Sequence, residues 1–403
     1  MKDIVNNALT RRIKRHVIAE EHVFFSIVQP GFECRAKSEL SDIGLKLKEN
    51  FIEGGVEFTG KLDSCFIASL LSRTINRIIM RIGEFKTSNY YELERNIRSF
   101  PWELYISPEC EILFRSSASK SKIYHTGKLE DIFINGINER LTKYNIIPHV
   151  GAGLAPAQNH KSPQIIFLRN NRDICTVSLD ASGEFLYKRG IRTNISTAPI
   201  RETTASLILL ESKIENYDLI IDPMCGCGTF SIEAASIFTK TPPGIKKEFT
   251  FMYWPSFKEK SFNHIKKNSV KDIIPQEKIK QEIIISDIDS KAVEIAKSNI
   301  PEELSKIIIP ETADFFSLPS DIAKNKKTLI VLNPPYGKRI SSQNKKSIYT
   351  EIGNKIRKDF KNCAYAIIIP DHEKESRINL KYDRKISIMN GGIKVNIIFK
   401  QNM

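Results

Sequence analysis

The stretch YDLIIDPMCGCGTFSIEAA, residues 217–235, decides the fold class of this chain. It begins with an apolar run typical of a buried strand and ends in a helix. Between them, Gly226 and Gly228 allow the backbone to approach a ligand, and the helix that follows offers free N–H groups. The turn is neither a G-x-G-x-x-G motif nor a P-loop, because no Gly-Lys-Ser/Thr ends it. The stretch predicts the first strand, turn and helix of an α/β domain.

Strands and helices alternate from about Lys213 onward, as expected for a doubly wound α/β domain. We predict further strands at 283–287 (IIISD), 328–333 (TLIVLN) and 364–371 (AYAIIIPD). The closing segments RKISIM and KVNIIFK flank Asn390–Gly392, and Asn-Gly between two strands is a strong hairpin signal. The pattern predicts a mostly parallel sheet that ends in an antiparallel hairpin.

The first half of the chain reads as an α+β arrangement. We predict strands at HVFFSIV (22–28) and EILFRSS (111–117), and a helix around LLSRTINRIIMRI (70–82). A second helix follows the basic loop SSASKSKIYHTG, and four of its residues fall on one face at helical spacing: Leu129, Ile132, Phe133 and Ile137. A strand meander with turns at Asn170–Asn171 and Ser182–Gly183 leads to a domain boundary near 190–199.

The composition favours a folded protein that binds a polyanion. Lys and Arg outnumber Asp and Glu by 61 to 47, a net charge of +14, and nucleic acid is the commonest cytoplasmic polyanion. No membrane-spanning run or signal peptide is apparent, so we expect a cytoplasmic protein. The seven scattered cysteines predict reduced thiols rather than disulfides or a metal site. We interpret RRIKRH (11–16) as a solvated, partly disordered arm.

The segment LNPPYGKR (332–339) follows a predicted buried strand. Prolines make it a stiff loop at the carboxyl end of the sheet, where open α/β folds bind ligands. Asn333 Oδ1 and the Pro334 carbonyl are two acceptors for the hydrogens of an exocyclic amine, and Tyr336 offers a face for stacking on its base. Earlier in the chain, Asp287 ends a strand where a carboxylate can accept ribose hydroxyls. The alternative is a plain turn and a capping aspartate.

The motifs DPMCGCGT, SDID and NPPYG, in this order, resemble class I S-adenosylmethionine-dependent methyltransferases that modify exocyclic amines. The flanking segments PGFECRAKSEL, TINRIIMRIGEF, SKSKIYHTG, YKRGIRTNISTAPIRETTA and NGGIKV resemble THUMP-domain RNA methyltransferases that make N2-methylguanosine in ribosomal or transfer RNA. The resemblance covers most of residues 22–400. Cys227 departs from the serine usual in the family, which we expect to tune cofactor binding rather than abolish it.

The resemblance implies a Rossmann-like methyltransferase domain with a mostly parallel seven-stranded sheet, preceded by an α+β ferredoxin-like and THUMP module. The implied domains are a basic extension (1–21), a ferredoxin-like subdomain (22–70), a THUMP RNA-binding domain (71–189) and a methyltransferase domain (190–403). It also implies residue roles. The cofactor-binding residues carried over are Asp222, Gly226 and Gly228 for the methionine portion, Asp287 for the ribose, Asp314 for the adenine amine, Arg201 and Thr203 near the carboxylate, and Met224 and Thr229 in the same glycine turn. Those carried over for the target base are Asn333, Pro334, Pro335 and Tyr336.

We therefore expect an enzyme that uses S-adenosyl-L-methionine to methylate guanosine N2 in structured RNA, with large-subunit ribosomal RNA as the first candidate and transfer RNA as the second. No metal is needed for this chemistry, because the sulfonium leaving group already carries positive charge. The loop alone does not separate guanine from adenine N6 or from a protein glutamine. A THUMP RNA-binding protein without catalysis is the non-enzymatic alternative. The sequence leaves monomer or weak dimer open.

Overall fold

The computed structural model describes residues 2–107, 111–144, 146, 149–150, 163–190, 200–335, 348–373 and 375–401, with the backbone alone at 2–6, 149–150 and 375. The predicted boundary beyond Gly190, the stacking residue Tyr336, and the loop residues Lys338 and Arg339 lie outside these ranges. No helix in the described part of the chain is both long and apolar enough to cross a membrane.

The first half forms an eight-stranded sheet in the order β2-β3-β1-β4-β8-β7-β5-β6. Its strands are β1 His22–Val28, β2 Lys46–Leu47, β3 Gly55–Gly60, β4 Ile75–Lys86, β5 Glu111–Ser119, β6 His149–Val150, β7 Gln164–Asn171 and β8 Ile174–Asp180. Its helices are α1 Lys2–Ile13, α2 Glu33–Asp42, α3 Leu62–Leu71, α4 Tyr90–Ser99 and α5 Thr126–Thr142. The four predicted face residues of α5 are all buried, which confirms that amphipathic helix.

The predicted helix at 70–82 is wrong. Helix α3 ends at Leu71, and Ile75–Lys86 is strand β4, paired antiparallel with β1 on one side and β8 on the other. Ile75, Ile78 and Ile79 are spaced as on a helix face, but β-branched residues also suit a strand, and pairing on both edges decides the outcome. The predicted turn at Asn170–Asn171 lies two residues further on, at Arg172 and Asp173, whose φ angles are 51° and 60°.

The prediction of a solvated, partly disordered basic arm is also wrong. Helix α1 continues into a π-helical turn at Lys14–Ile18, and Val17 is fully buried in the core of the first half. Arg12 forms an ion pair of 2.8 Å with the buried carboxylate of Glu103. Arg11, Lys14, Arg15 and His16 remain exposed, so the basic residues form the solvent face of a packed helix.

The second half forms a seven-stranded sheet in the order β11-β10-β9-β12-β13-β15-β14. Its strands are β9 Leu219–Asp222, β10 Glu282–Asp287, β11 Ile308–Thr312, β12 Thr328–Leu332, β13 Ala364–Pro370, β14 Arg384–Asn390 and β15 Ile393–Lys400. The helices are α6 Glu202–Glu211, α7 Thr229–Phe238, α8 Glu259–Ser269, α9 Ser290–Asn299 and α10 Ile348–Asp359. The first five strands are parallel and β14–β15 is an antiparallel hairpin, which confirms the predicted fold.

The two halves share buried contacts. Phe251 belongs to the second half, yet its ring centroid lies 4.6 Å from that of Phe66 in α3. Arg73 donates to the backbone carbonyl of Ser236 at 2.8 Å, and Arg189 pairs with Glu233 of α7 at 3.2 Å. This buried hydrogen bond and this buried ion pair join the first half to α7, the helix that follows the glycine turn.

Candidate functional site

A cavity of about 390 Å³ lies at the carboxyl ends of the four neighbouring strands β11, β10, β9 and β12. This is the edge at which open α/β sheets bind ligands, and the volume lies in the range of small-molecule sites. Its lining residues are Ile200, Pro223, Met224, Cys225, Gly226, Cys227, Thr229, Phe230, Asp287, Ile288, Asp314, Phe315, Phe316, Asn333, Pro335 and Ile348. Seven of the predicted cofactor and target-base residues lie among them: Met224, Gly226, Thr229, Asp287, Asp314, Asn333 and Pro335.

The glycine turn forms the floor of the cavity between β9 and α7. Gly226 and Gly228 have φ angles of +54° and +79°, which only glycine adopts without strain. A Cβ at Gly228 would also lie 3.3 Å from the Cβ of Ala296 in α9, so Gly228 additionally permits close packing of two helices. The Cys225 N–H donates to the Ser286 carbonyl at 3.0 Å and fixes the turn against the end of β10.

Asp287 holds the turn and faces the cavity at the same time. Its Oδ2 accepts from the Gly226 N–H and its Oδ1 from the Asp289 N–H, both at 3.0 Å. Each carboxylate oxygen has a second lone pair available, so these bonds orient the group without exhausting its acceptor capacity. Ile288, next in sequence, is 74% exposed and lines the same cavity. We did not predict Ile288, although an apolar residue after a strand-end carboxylate is a readable signal.

Asp222 lies beneath the turn rather than in the cavity lining. It is fully buried, and its Oδ2 accepts from the Ser231 hydroxyl at 2.9 Å, whereas Oδ1 has no hydrogen-bond partner in the described part of the chain. Burial raises the pKa of Asp222 to about 7, the Ser231 hydrogen bond opposes that rise, and the nearby charge of Asp287 adds to it. The carboxyl group therefore titrates near neutral pH and has an unused acceptor.

Asn333 and Pro335 form the wall of the cavity after β12. The Oδ1 atom of Asn333 is buried and, among the described residues, accepts no hydrogen bond. An unpaired buried acceptor is costly, at about 1–3 kcal/mol, and calls for an explanation. Pro334, between them, is buried and fixes the backbone that carries the amide.

Asp314 lines the cavity at the end of β11, together with Phe315 and Phe316. Its Oδ1 accepts from the Phe316 N–H at 3.1 Å, which closes a turn and holds both aromatic residues at the cavity. Asp314 was predicted from the sequence, whereas Phe315 and Phe316 were not, because an apolar lining residue cannot be told from a core residue in sequence.

Arg201 and Thr203 are not part of the cavity lining. Thr203 is buried and its hydroxyl donates to Asn76 Oδ1 of β4 at 2.6 Å. Arg201 is exposed, and its guanidinium lies 5.2 Å from the ring centroid of Tyr187. The residue of this segment that does line the cavity is Ile200. The sequence thus located the segment, and the fold brings a different side chain to the cavity.

The comparison with family models matches this second half. The model described as the RMKL-like methyltransferase domain matches residues 189–397, more than half of the chain. The chain belongs to the RMKL-like methyltransferase domain family. A second model, described as the RlmL ferredoxin-like domain, matches residues 24–79, so the predicted ferredoxin-like N-terminal module is confirmed.

Two curated relatives and one solved structure resemble this RMKL-like chain. It is 27% identical over 392 residues to the ribosomal RNA large subunit methyltransferase K/L of Acinetobacter baumannii, covering 92% of this chain and 51% of that protein. The chain thus spans about half the length of the K/L relatives it matches. It is 25% identical over 387 residues to a provisionally named RNA methyltransferase of Synechocystis, covering 93% of this chain and 95% of that protein. The crystal structure of SMU.472, provisionally named a methyltransferase, contains SAH (S-adenosylhomocysteine). Its sequence is 26% identical to this chain, and the two structures align with a TM-score of 0.80 over 95% of this chain and 99% of that one.

S-adenosylmethionine is the cofactor of this RMKL-like methyltransferase domain. Three observations show that the site fits this cofactor: a cavity turn that only glycine makes without strain, a strand-end carboxylate in the lining with acceptor capacity left, and, beneath the turn, the buried Asp222 Oδ1 that has no partner in the described residues. The cofactor carries a sulfonium, an ammonium and ribose hydroxyls, and carboxylate acceptors complement these groups.

Proposed function

We propose that this chain uses S-adenosylmethionine to methylate the exocyclic N2 amine of a guanosine in structured RNA, with large-subunit ribosomal RNA as the substrate. The observation that carries the proposal is the buried Oδ1 atom of Asn333, an acceptor without a partner in the described residues at the wall of the cofactor cavity. An exocyclic amine supplies the missing donor.

The proposed chemistry depends on how the chain holds that amine. Bound S-adenosylmethionine supplies an electrophilic methyl group. Asn333 Oδ1 and the Pro334 carbonyl accept the two amine hydrogens and draw the nitrogen lone pair out of conjugation with the ring, which makes the nitrogen a better nucleophile. Pro334 and Pro335 hold both acceptors in a fixed pose, so most of the rate enhancement comes from positioning.

A role for Tyr336 belongs to the same proposal, although this residue lies outside the described part of the chain. A tyrosine directly after Pro335 is well suited to stack on an unpaired base. The target nucleotide has to leave its helix, or lie in an unpaired region, before it can reach the loop.

The choice of ribosomal RNA rests on similarity and charge. The first relatives are named as ribosomal RNA large subunit methyltransferases, and this chain carries a net charge of +14 that attracts RNA. We assign RNA binding to a THUMP domain at residues 71–189 and catalysis to residues 190–403, with the ferredoxin-like subdomain at 22–70 and the basic extension at 1–21. Rigid contacts such as Arg73 to Ser236 would then transmit the position of bound RNA to the catalytic half.

Nucleoside mass spectrometry tests the proposal. Ribosomal RNA and transfer RNA are isolated separately from a strain that lacks the gene and incubated with the purified full chain and methyl-deuterated S-adenosylmethionine. We expect deuterated N2-methylguanosine in large-subunit ribosomal RNA with the wild-type chain, and at least about 100-fold less with Asn333→Ala. Asn268→Ala, an exposed amide on α8, is the matched control and should behave as wild type.

Each other outcome replaces a part of the proposal. Label on transfer RNA guanosine would change the substrate, and label on adenosine N6 would change the target amine. Label on protein glutamine would change the class of substrate. An absence of label in all fractions, with RNA binding retained, would make this chain a non-catalytic RNA-binding protein.

A further inference from the structure

Arg201 does not line the cavity, but its side chain has a defined contact elsewhere. Its guanidinium lies 5.2 Å from the centroid of the Tyr187 ring, and the Tyr187 ring is stacked on Phe185 with 5.2 Å between centroids and 15° between planes. Phe185 is 42% exposed. We call these three side chains (Phe185, Tyr187 and Arg201) the aromatic ledge: the two rings are stacked, and the guanidinium lies over the Tyr187 ring.

The backbone under the aromatic ledge is held from several sides. Leu186, between the two aromatic residues, is buried, and its N–H donates to the Asn76 carbonyl at 2.9 Å. Lys247 Nζ donates to the carbonyls of Phe185 and Lys188 at 3.2 and 2.6 Å. Leu186 is anchored inward, and the Lys188 N–H donates to the Phe185 carbonyl at 3.1 Å, so Phe185 and Tyr187 project from a hydrogen-bonded turn. A preformed surface loses little conformational entropy when it binds a partner.

A buried arginine supports the aromatic ledge from the first half of the chain. The guanidinium of Arg77 lies 4.4 Å from the centroid of Phe185 and forms an ion pair with the buried Asp180. The Phe185 ring is therefore held by a cation whose own charge is already neutralised. Of the two arginines in contact with these rings, Arg201 is therefore the one whose charge can interact with a ligand.

The N–H donors of Arg201 have no acceptor in the part of the chain that the structure describes. Within the described residues its guanidinium makes no ion pair and no hydrogen bond, and its contact is the face of Tyr187. The Tyr187 ring lies on one side of the guanidinium, whose N–H donors have no acceptor among the described residues. A guanidinium in this state can stack an unpaired base and bind a phosphate at the same time.

The aromatic ledge adjoins the methyl-transfer cavity. Arg201 directly follows Ile200, a lining residue of that cavity, and precedes helix α6. Thr203 of the same helix is bonded to Asn76 of β4, whose carbonyl also holds Leu186. The segment that lines the cavity and the aromatic ledge are thus both hydrogen-bonded to Asn76 of β4.

We propose that the aromatic ledge binds the nucleotide next to the methylated one, with its base stacked on Arg201 and its phosphate held by the free N–H donors. The proposal rests on the proposed function, because it requires a single-stranded RNA segment at the cavity. It assigns Arg201 to the RNA substrate, in place of the cofactor carboxylate that the resemblance implies.

Binding measurements on the full chain separate these two assignments. The probes are a fluorescein-labelled oligouridine, whose base has no exocyclic amine and cannot serve as the target, and SAH measured by calorimetry. Arg201→Ala should weaken oligouridine binding at least about five-fold and lower the salt dependence by about one phosphate contact, while SAH affinity and melting temperature stay unchanged. Arg201→Lys should restore the salt dependence but not the full affinity, because lysine has no plane to stack.

Tyr187→Ala and Arg384→Ala complete the test. Removing Tyr187 takes away the support of the guanidinium and should weaken oligouridine binding as Arg201→Ala does. Arg384 is an exposed arginine on β14 that pairs with Glu211, so its removal controls for the loss of one positive charge. Unchanged oligouridine binding in Arg201→Ala, or a loss of SAH affinity instead, overturns the aromatic ledge. If the wild-type chain methylates RNA in either case, the proposed function survives; a wild-type chain that neither binds nor methylates RNA refutes both.

Discussion

The two turns that meet at the cavity differ in how far their polar groups are hydrogen-bonded within the protein. In the glycine turn after β9, Asp287 is bonded to the Gly226 N–H and Cys225 to the Ser286 carbonyl, so the turn is held by the protein itself. In the Asn-Pro-Pro turn after β12, prolines fix the backbone and the Asn333 acceptor has no partner among the described residues. The first turn is held by its own hydrogen bonds, whereas the second presents a buried acceptor that a bound donor would satisfy.

The largest effect should come from removing that acceptor. Asn333→Ala should slow single-turnover methyl transfer roughly 100-fold or more, because one preorganised partner of the transition state is lost. Cofactor affinity should stay the same, and the melting temperature should stay the same or rise, since a buried unpaired acceptor disappears. Single-turnover rate, calorimetry and thermal melting on one preparation measure all three.

The opposite pattern would contradict this role. If Asn333 is only a turn residue, Asn333→Ala lowers the melting temperature and leaves the rate per folded molecule unchanged. The contrast between the two turns would then be a contrast in local packing, without consequence for the reaction.

The second-largest effect should come from Asp287, whose carboxylate holds the glycine turn. Asp287→Ala removes both the predicted ribose acceptor and the bond that holds the Gly226 N–H, so the cofactor should lose about 1.5–3 kcal/mol of binding free energy. Asp289→Ala is the matched control: it removes the cap of α9, in which Asp289 Oδ1 accepts from the Lys291 N–H at 2.9 Å. It should cost about 1 kcal/mol of stability and leave cofactor affinity alone. Equal cofactor affinity in the two variants would refute the role of Asp287.

The catalytic half was readable from sequence for a physical reason. Parallel strands covered on both faces are apolar runs, and the polar residues that interrupt them, such as Asp287 and Asn333, lie at the strand ends where ligands bind. In the first half, β4 carries isoleucines at positions that suit a helix as well as a strand, so its pairing with β1 and β8 was needed to decide. The choice between helix and strand at β4 depends on these long-range pairings, which the local sequence pattern does not specify.

The site residues also divide into those that the sequence predicts and those that only the fold reveals. Polar and glycine residues stood out, whereas the cavity residues Ile288, Phe315 and Phe316 are chemically ordinary and became visible only through the fold. The orientation of Arg201 depends on Tyr187, which is fourteen positions earlier in the chain. Local sequence carries no signal for such a contact.

A third test uses the carboxyl group beneath the glycine turn. Burial raises the pKa of Asp222 from 3.8 to about 7, so between these values the unfolded chain releases a proton that the folded chain keeps. The stability contribution of this group is therefore complete below the unfolded pKa and falls as pH rises toward about 7. Asp222→Asn should flatten the fall in melting temperature over that window, and an unchanged profile would contradict the raised pKa.

The same group should couple cofactor binding to pH. A cationic cofactor favours the ionised carboxylate, so wild-type affinity should rise about ten-fold between about pH 6 and pH 8 as Asp222 loses its proton. The α-amino group of the cofactor also titrates near this window, and the relevant quantity is therefore the difference between wild type and Asp222→Asn. If calorimetry gives parallel pH profiles for the two, Asp222 does not interact with the cofactor.

The smallest effect should come from Cys227, although it lies in the glycine turn and lines the cavity. Its backbone carbonyl accepts from Asn299 Nδ2 at 3.3 Å, and its Sγ lies 3.6 Å from Thr229 Oγ1. Cys227→Ser introduces the residue usual in the resembling family, leaves the backbone bond in place and gives the new hydroxyl a nearby partner in Thr229. Cofactor affinity measured by calorimetry should therefore change by less than about two-fold, because the turn acts through its backbone. A change of ten-fold or more would mean that the Cys227 side chain contacts the cofactor directly, and the glycine turn would then depend on its side chains as the Asn-Pro-Pro turn does.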